Sequence, residues 1–304
     1  MTGAATSRVQ TLGGPALFVL LWSTGFVGAK YGLPYAPPFT FLALRLSVAA
    51  ALLALLAVAL RSEPMTSRSQ YGRASVVGLL LHAGYLGGVF YGISLGVPAG
   101  VSAVIVSLQP VLTAVLATRV LGERPTTRQW LGLVIGVAGV ALVVGPGLVE
   151  GGSAEPLPLA GLVACVVALV SGTLGTVYQK RHGDGIPLVR GTAVQYAAAA
   201  AVLGVVAVAS EDVAIRWTSE FVVALVWLVL VLSIGAVLLL LVLLRRGSAA
   251  GVSSLYYLVP PATAVEAYLL FGERVSGLSL IGIGVTAVGV GMVVVPTRRR
   301  PQGS

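Results

Sequence analysis

Charged residues are scarce in this sequence of 304 residues: 10% are Asp, Glu, Lys or Arg, whereas 57% are hydrophobic. A typical soluble domain is about one quarter charged, so this chain has too little charge to cover a globule in water. Its apolar residues form runs of roughly 18 to 24, each long enough to cross a hydrocarbon core as a helix. The short alternating strands typical of membrane barrels are absent. The composition therefore predicts an all-α integral membrane protein.

Cysteine and recognisable chemical motifs are also nearly missing. The single cysteine, Cys165, cannot form an intramolecular disulfide. We find no Cys/His metal-ligand spacing, no phosphate-binding loop and no nucleotide-binding domain. The chain is therefore expected to need no metal or cofactor, to use no ATP of its own and not to be an enzyme. The net charge of +9 comes from basic residues that lie between apolar runs rather than on one face, which argues against a nucleic-acid partner.

The apolar pattern predicts ten membrane helices. We interpret the first as a retained span rather than a cleaved signal peptide, because it continues through Trp22 and Phe26 without a convincing cleavage site. The predicted spans are approximately 14–32, 38–60, 73–94, 99–120, 128–146, 157–179, 188–209, 221–244, 250–271 and 277–296.

The distribution of basic residues predicts the orientation of these spans. With the N-terminus inside the cell, fifteen of the 19 Lys and Arg residues fall on the cytoplasmic side, and only Lys30, Arg216 and Arg274 fall outside. Cytoplasmic loops of membrane proteins are enriched in Lys and Arg. We therefore predict a multi-pass protein of a bacterial cytoplasmic membrane, with both termini in the cytoplasm.

The two halves of the chain are related by a shift of 150 residues. The shift superimposes Gly122-Glu123-Arg124 on Gly272-Glu273-Arg274, and Pro110 on Pro260. We therefore divide the chain into residues 1–148 and 149–304, each with five spans. Because five is odd, the second half enters the membrane from the opposite side, which gives two inverted-topology repeats. This arrangement is typical of secondary transporters, whose substrate site lies between the repeats near the membrane midplane.

Four segments carry a resemblance to a known family. They are WSTGFVGAKYGLP (Trp22–Pro34), FLALRLSVAA (Phe41–Ala50), SLQPVLTAVLATRVLGER (Ser107–Arg124) and YLVPPATAVEAYLLFGER (Tyr257–Arg274). In this order they resemble helices one, two, four and nine of the drug/metabolite transporter superfamily, in its ten-helix form with two EamA-type domains. The resemblance implies transport of a small molecule, commonly export of amino acids, metabolites or drugs. It implies no particular substrate.

Glu266 is the strongest candidate for a coupling or substrate-binding group. It lies in the outer half of predicted span 9, where an ionisable side chain is costly and suggests function. The position equivalent to it in the first half is Leu116, and the resembling sequences usually have an apolar residue there. We interpret Glu266 as a proton carrier or specificity group; the alternative is a hydrogen-bonded acid without a role in transport.

Prolines in the predicted spans 4 and 9 are expected to kink these helices. Pro110, Pro260 and Pro261 lack amide hydrogens, so carbonyl groups such as those of Tyr256 and Tyr257 lose their usual helical partners. Freed backbone groups in a membrane helix must find another partner or face a cavity. Because both halves have the feature, we favour helices that line a cavity over static kinks.

Two further ionisable residues lie within spans. For Arg45, near the outer end of span 2, we favour a side chain that reaches to the membrane interface; a clamp for a substrate carboxylate is the alternative. His82 shares a helix face with Tyr85, and we interpret it first as a helix–helix hydrogen-bonding residue and second as a site residue.

Polar and aromatic residues from several spans could converge on one cavity. Trp and Tyr are also common at membrane interfaces, so Trp22, Tyr91 and Tyr178 could be anchors only. The candidates are Trp22, Ser23, Thr24, Tyr85, Tyr91, Gln109, Tyr178, Gln195, Tyr256 and Tyr257.

Two features are interpreted as structural. Glu123 and Glu273 end spans 4 and 9, and we expect them to cap the connections to spans 5 and 10. Gly132 and Gly136 form a face of small residues that favours close packing, either between spans 5 and 10 or between two protomers.

The sequence thus predicts a secondary transporter that exports a small molecule by alternating access, with Glu266 as a candidate site of proton coupling. An uncoupled facilitator is the first alternative. A membrane scaffold or membrane-embedded enzyme is the second.

Overall fold

The computed structural model describes residues 3–97, 102, 105–150, 158–259, 261–262, 265–266, 269 and 277–294. These residues form helices and no strands. The helices are α1 Gly3–Gly32, α2 Pro38–Ala59, α3 Arg68–Ser94, α4 Gln109–Val120, α5 Thr127–Glu150, α6 Leu159–His182, α7 Leu188–Ser210, α8 Ser219–Arg246, α9 Ala249–Ser253 and α10 Gly277–Val294. Within this described part, α2, α3, α6, α7 and α8 are each long and apolar enough to cross a membrane.

The observed helices follow the predicted spans closely, with one notable difference in α4. The predicted span 99–120 is interrupted: residues 102, 105 and 106 are helical, a turn follows at Ser107 and Leu108, and α4 begins at Gln109. Local signals set several helix starts: Ser67 accepts a hydrogen bond from Gln70 N at 3.2 Å, and Thr218 and Ser248 cap α8 and α9 in the same way.

The contacts between helices keep the same pattern when each helix is exchanged for its equivalent in the other half. Helix α2 packs on α7, α5 on α10 and α4 on α9, so each of these pairs joins equivalent helices. The contact of α3 with α6 is matched by that of α8 with α1, and the contact of α3 with α7 by that of α8 with α2. This pattern is the one that an inverted repeat of five helices produces.

Helices α3 and α8 contain an equivalent irregularity that the sequence reading did not anticipate. Residues Leu79–Gly84 of α3 and Leu228–Ala236 of α8 form π turns. The two segments start at positions that differ by 149 residues, close to the repeat shift. π turns inside α-helices occur frequently at functional sites, and these two lie on helices that cross the bundle interior.

Glycine brings α5 and α10 into close contact, which decides between the two predicted roles of the small-residue face. A methyl group on Gly132 would lie 2.6 Å from the carbonyl oxygen of Gly289, and one on Gly136 would collide with the ring of Tyr257. Both neighbours belong to the same chain. The glycines of α5 therefore serve packing between the repeats.

The outside of the bundle is apolar, as expected for contact with lipid. On α2, Phe41, Leu42 and Leu53 are completely buried, whereas Leu55 and Val58 are each 68% exposed. Exposed patches of this kind are unfavourable in water and are satisfied by hydrocarbon.

The connections between the helices lie at the two ends of the bundle. One end, here called the basic face, carries the connections at residues 60–67, 121–126, 183–187 and 247–248. The other end, the opposite face, carries the connections at residues 33–37 and 211–218.

Candidate functional site

A small cavity lies at the centre of the bundle, where the helices with π turns meet. Its volume is about 50 Å³, whereas ligand pockets usually have about 300–1,000 Å³. The cavity is therefore too small in this conformation to hold a ligand and must enlarge to admit one. The lining residues are Trp22, Gly25, Arg45, His82, Tyr85, Leu86, Val89, Phe90, Ile93, Tyr196, Leu232 and Val237.

Arg45 is buried beside this cavity, which corrects the expectation that it reaches to the membrane interface. Its side chain is 3% exposed, and Nε donates a hydrogen bond to Ser233 Oγ at 2.9 Å. Ser233 belongs to the π turn of α8, and its carbonyl oxygen accepts a hydrogen bond from the hydroxyl of Tyr196. The guanidinium turns inward because α8 supplies a hydrogen-bond acceptor there.

His82 lines the same cavity and also bonds to a neighbouring helix. It is 2% exposed, and its Nε2 lies 3.4 Å from Gln195 Oε1. The Gln195 amide in turn donates to Gln179 Oε1 at 3.3 Å, while the imidazole packs edge-on against Tyr196 at 4.6 Å. His82 thus forms the predicted interhelical hydrogen bond and also lines the cavity, while its role as a site residue stays a prediction. Tyr85, one turn further along, is also buried and lines the cavity.

Aromatic rings connect the cavity to α9. Trp22 lies 5.1 Å from Phe18 and 5.5 Å from Tyr256, measured between ring centroids. Tyr257 is fully buried, and its hydroxyl has no hydrogen-bond partner within the described residues. Tyr256 and Tyr257 lie in a 3-10 turn, Ser254–Leu258, which follows α9. The irregular backbone places both tyrosines in the bundle interior.

The remaining polar candidates do not line the central cavity. Gln109 is buried and donates to Thr176 Oγ1 at 3.2 Å. The ring of Tyr178 packs at a tilt against His182, with 4.3 Å between ring centroids, near the end of α6 at the basic face. Tyr91 is 38% exposed and stacks on Phe39.

The prolines mark breaks rather than simple bends. Pro110 is buried in the first turn of α4, directly after the turn at Ser107 and Leu108. Pro261 is buried and follows the 3-10 turn, whereas Pro260 lies outside the described residues. The broken segments of α4 and of the α9 region occur at equivalent places in the two halves.

Glu266 lines a separate side pocket of about 480 Å³ between α1 and α8. Ser23 Oγ lies 2.5 Å from Glu266 Oε1, and Glu266 Oε2 is buried without a partner in the described part of the chain. Trp227 Nε1 donates to Thr24 Oγ1 at 3.0 Å. Because Thr24 lines the side pocket and Trp22 the central cavity, α1 forms the wall between them.

Polar contacts tie helix ends together at the basic face. Glu123 Oε1 accepts a hydrogen bond from Ala249 N at 2.9 Å, at the start of α9. Lys180 Nζ donates to the carbonyl oxygens of Leu244 and Gly247, both at 2.7 Å. The predicted capping role of Glu123 thus involves a helix of the other half rather than its own connection. Its counterpart Glu273 lies outside the described residues.

Other contacts tie helix ends at the opposite face. The Glu211 carboxylate accepts hydrogen bonds from Phe39 N at 2.8 Å and Thr40 N at 2.7 Å, at the start of α2. Arg216 donates to the carbonyl of Pro34 and lies over the ring of Tyr35. The contacts of Glu123 at the basic face and of Glu211 and Arg216 at the opposite face thus join the two halves, whereas the Lys180 contacts lie within the second half.

Two helical halves that meet around a small, largely apolar cavity with a few buried polar side chains are typical of the class of polytopic secondary transporters. The profile of the EamA-like transporter family matches residues 15–145 and 159–295. The chain belongs to this family and is an integral, multi-pass membrane transporter.

Curated relatives are similar over nearly their whole length. The chain is 28% identical to the uncharacterized transporter YvbV of Bacillus subtilis, covering 94% of this chain and 92% of that one. It is 25% identical to a probable amino-acid metabolite efflux pump of Salmonella typhimurium, covering 90% and 91%. A solved crystal structure superimposes with a TM-score of 0.78 at 21% identity, covering 95% of this chain and 98% of that one, which supports the fold.

Proposed function

We propose that this protein exports a small molecule, an amino acid, related metabolite or drug-like compound, across the bacterial cytoplasmic membrane by alternating access. The central cavity is the substrate site, and residues 1–148 and 149–304 are the two halves that move around it. Both termini lie in the cytoplasm, so the basic face is the inner end of the bundle.

The observation that carries this proposal is the position of the cavity. It lies between the two π turns, where the backbone of α3 and α8 departs from regular helix. Irregular backbone at membrane depth is tolerated where it lines a cavity or is covered by protein. Relatives whose names describe efflux of amino-acid metabolites support the direction and the substrate class.

The contacts at the two faces allow the central cavity to open to one side of the membrane at a time. Opening inward separates Glu123 of the first half from Ala249 of the second, while the Glu211 contacts hold. Opening outward separates Glu211 from Phe39 and Thr40 while the inner contacts hold. Because each opening breaks only one set of contacts, the cavity stays closed on the other side.

Glu266 couples this motion to protons. Ser23 Oγ lies within hydrogen-bonding distance of Glu266 Oε1, at 2.5 Å, and of the Leu20 carbonyl oxygen, at 3.0 Å. A serine hydroxyl has a single hydrogen, so two separate bonds form only when the carboxyl group is protonated and donates to Ser23. Loss of the proton changes how α1 is held, and α1 is the wall of the central cavity.

The test is efflux from proteoliposomes loaded with a panel of amino acids and drug-like compounds, with and without a pH gradient. We expect a gradient to accelerate efflux through the native protein and not through Glu266→Gln. Glu220→Gln is the matched control, because Glu220 lines the same side pocket from the start of α8. If the native protein and Glu266→Gln give equal rates that ignore the gradient, the protein is an uncoupled facilitator. If no member of the panel is transported, the proposed function fails.

A further inference from the structure

We infer that Arg45 binds the carboxylate of the transported molecule, so that the substrates are small carboxylic acids or amino acids with an apolar side chain. This inference rests on the proposed function, because it assigns the ligand chemistry of the same central cavity. It assigns to Arg45 a role that neither the family nor the relatives' names provide.

The charge balance of the central cavity favours an anionic ligand. Arg45 is 3% exposed and lies within a membrane span, where an unpaired charge costs several kcal/mol. The described residues that line the cavity include no Asp or Glu. His82 and Tyr196 are polar groups in the same lining, and His82 is engaged with Gln195. An anionic ligand is the group that would balance this charge.

The geometry of the Arg45 guanidinium favours a carboxylate over other anions. Within the described part of the chain, its side-chain hydrogen bond runs from Nε to Ser233 Oγ. That bond holds the Nε end of the group, and the guanidinium itself is a rigid, planar fork of N–H donors. Arg45 itself lines the cavity, and we place its terminal nitrogens toward the open space. Two terminal N–H groups held in one plane suit bidentate binding of a carboxylate.

The rest of the cavity lining is apolar and favours a ligand with an apolar side chain. Leu86, Val89, Phe90, Ile93 and Leu232 face the cavity together with the ring of Trp22. These side chains provide a surface for a hydrocarbon or aromatic group next to the cationic end. An ammonium group has no carboxylate to pair with among the described lining residues. Recognition therefore depends on the carboxylate and the side chain of the ligand, and an amino group is not required.

The first experiment uses the native protein in detergent and measures ligand binding by titration calorimetry and by the shift in melting temperature. The probes are pairs of equal shape: 3-phenylpropanoate with 3-phenylpropanamide, and L-leucine with L-leucinamide. We expect each carboxylate to bind at least about tenfold more tightly than its amide, because the amide leaves the guanidinium unpaired. Equal affinities within each pair, or no binding of any carboxylate up to millimolar concentration, would overturn the inference.

The second experiment uses variants of the cation and of its protein partner. Arg45→Gln is expected to abolish the preference for carboxylates, and Arg45→Lys to retain part of it, because Lys keeps the charge and loses the fork. Ser233→Ala removes the hydrogen bond to Nε but leaves the cation, so we expect a reduced preference for carboxylates that still exceeds that of Arg45→Gln. If Arg45→Gln does not fold, Arg45→Lys and the ligand pairs on native protein decide. A preference lost equally in Ser233→Ala and Arg45→Gln would make Arg45 a structural link only, against the inference.

Flux measurements separate this inference from the proposed function. Binding that discriminates carboxylate from amide without any flux upholds the anion site and contradicts transport. Efflux of uncharged or cationic compounds that carboxylates neither share nor inhibit upholds transport and contradicts the anion site.

Discussion

Ser23 on α1 and Glu266 in the segment after α9 lie 2.5 Å apart, Oγ to Oε1, although 243 residues separate them in the chain. Ser23 is completely buried, and the side pocket begins beside it at Thr24. This contact joins the first helix of one repeat to the ionisable group that has no counterpart in the other. Glu266, the candidate coupling group, therefore lies against α1 in the side pocket and outside the central cavity.

Replacing Ser23 by Ala should therefore uncouple proton movement without removing the carboxyl group. We expect the variant to fold and to transport, but to respond less to a pH gradient, because α1 no longer senses the protonation of Glu266. The measurement is efflux from proteoliposomes at two gradients. Ser94→Ala is the control, because Ser94 is exposed at the end of α3 and its hydroxyl donates to the nearby Tyr91 carbonyl. A full response to the gradient in Ser23→Ala would contradict the coupling route.

The contact of α5 with α10 should tolerate no added side chain at Gly289. A methyl group there would lie 2.6 Å from Gly136 N and 2.7 Å from the Gly132 carbonyl oxygen. Backbone atoms cannot move aside as a side chain can, so Gly289→Ala should cost about 1–3 kcal/mol of stability. The measurement is thermal unfolding in detergent. Gly284→Ala on the same helix is the control, since nothing lies within 4 Å of the added atom; equal melting temperatures for the two variants would contradict the packing.

The carboxylate at the basic face should stabilise the start of α9. Glu123 Oε1 accepts the hydrogen bond of Ala249 N at 2.9 Å, and an anion near a helix N-terminus contributes about 0.3–1 kcal/mol. We expect Glu123→Gln to lower the melting temperature slightly and to favour the inward-open state, because a contact that closes the inner end is weakened. Glu63→Gln, at an exposed position of the same face, should change neither property. An unchanged distribution of states in Glu123→Gln would remove this contact from the set that closes the inner end.

The sequence predicted the helices well because the physics that determines them is local. Runs of apolar residues long enough to cross a bilayer define spans almost independently of their neighbours. The repeat of Gly122-Glu123-Arg124 at Gly272-Glu273-Arg274 was visible by inspection, and the inverted arrangement follows from five spans in each half.

The contents of the cavity were predicted only in part. Trp22, His82 and Tyr85 were expected there and line it. Arg45 was assigned to the interface because its position along span 2 is near the outer end, and only the acceptor on α8 turns it inward. In the sequence, Ser233 could have been noticed as a lone hydroxyl in an apolar run, whereas no sequence feature distinguished Tyr196 as a residue of the cavity. The π turns were missed because they depend on packing rather than on a local residue signal.

Alternating exposure of the central cavity is the claim on which the account depends, and thiol labelling tests it most directly. Val89 lines the cavity and is 6% exposed, and the single native cysteine, Cys165, is fully buried and can be replaced by Ala. A cysteine at position 89 should react with a membrane-impermeant reagent in both right-side-out and inside-out vesicles, and a transported ligand should slow both reactions. A cysteine at the lipid-facing position Val205, which is 71% exposed, should react in neither. Labelling of position 89 from neither side, or from one side only under all conditions, would contradict transport through this cavity.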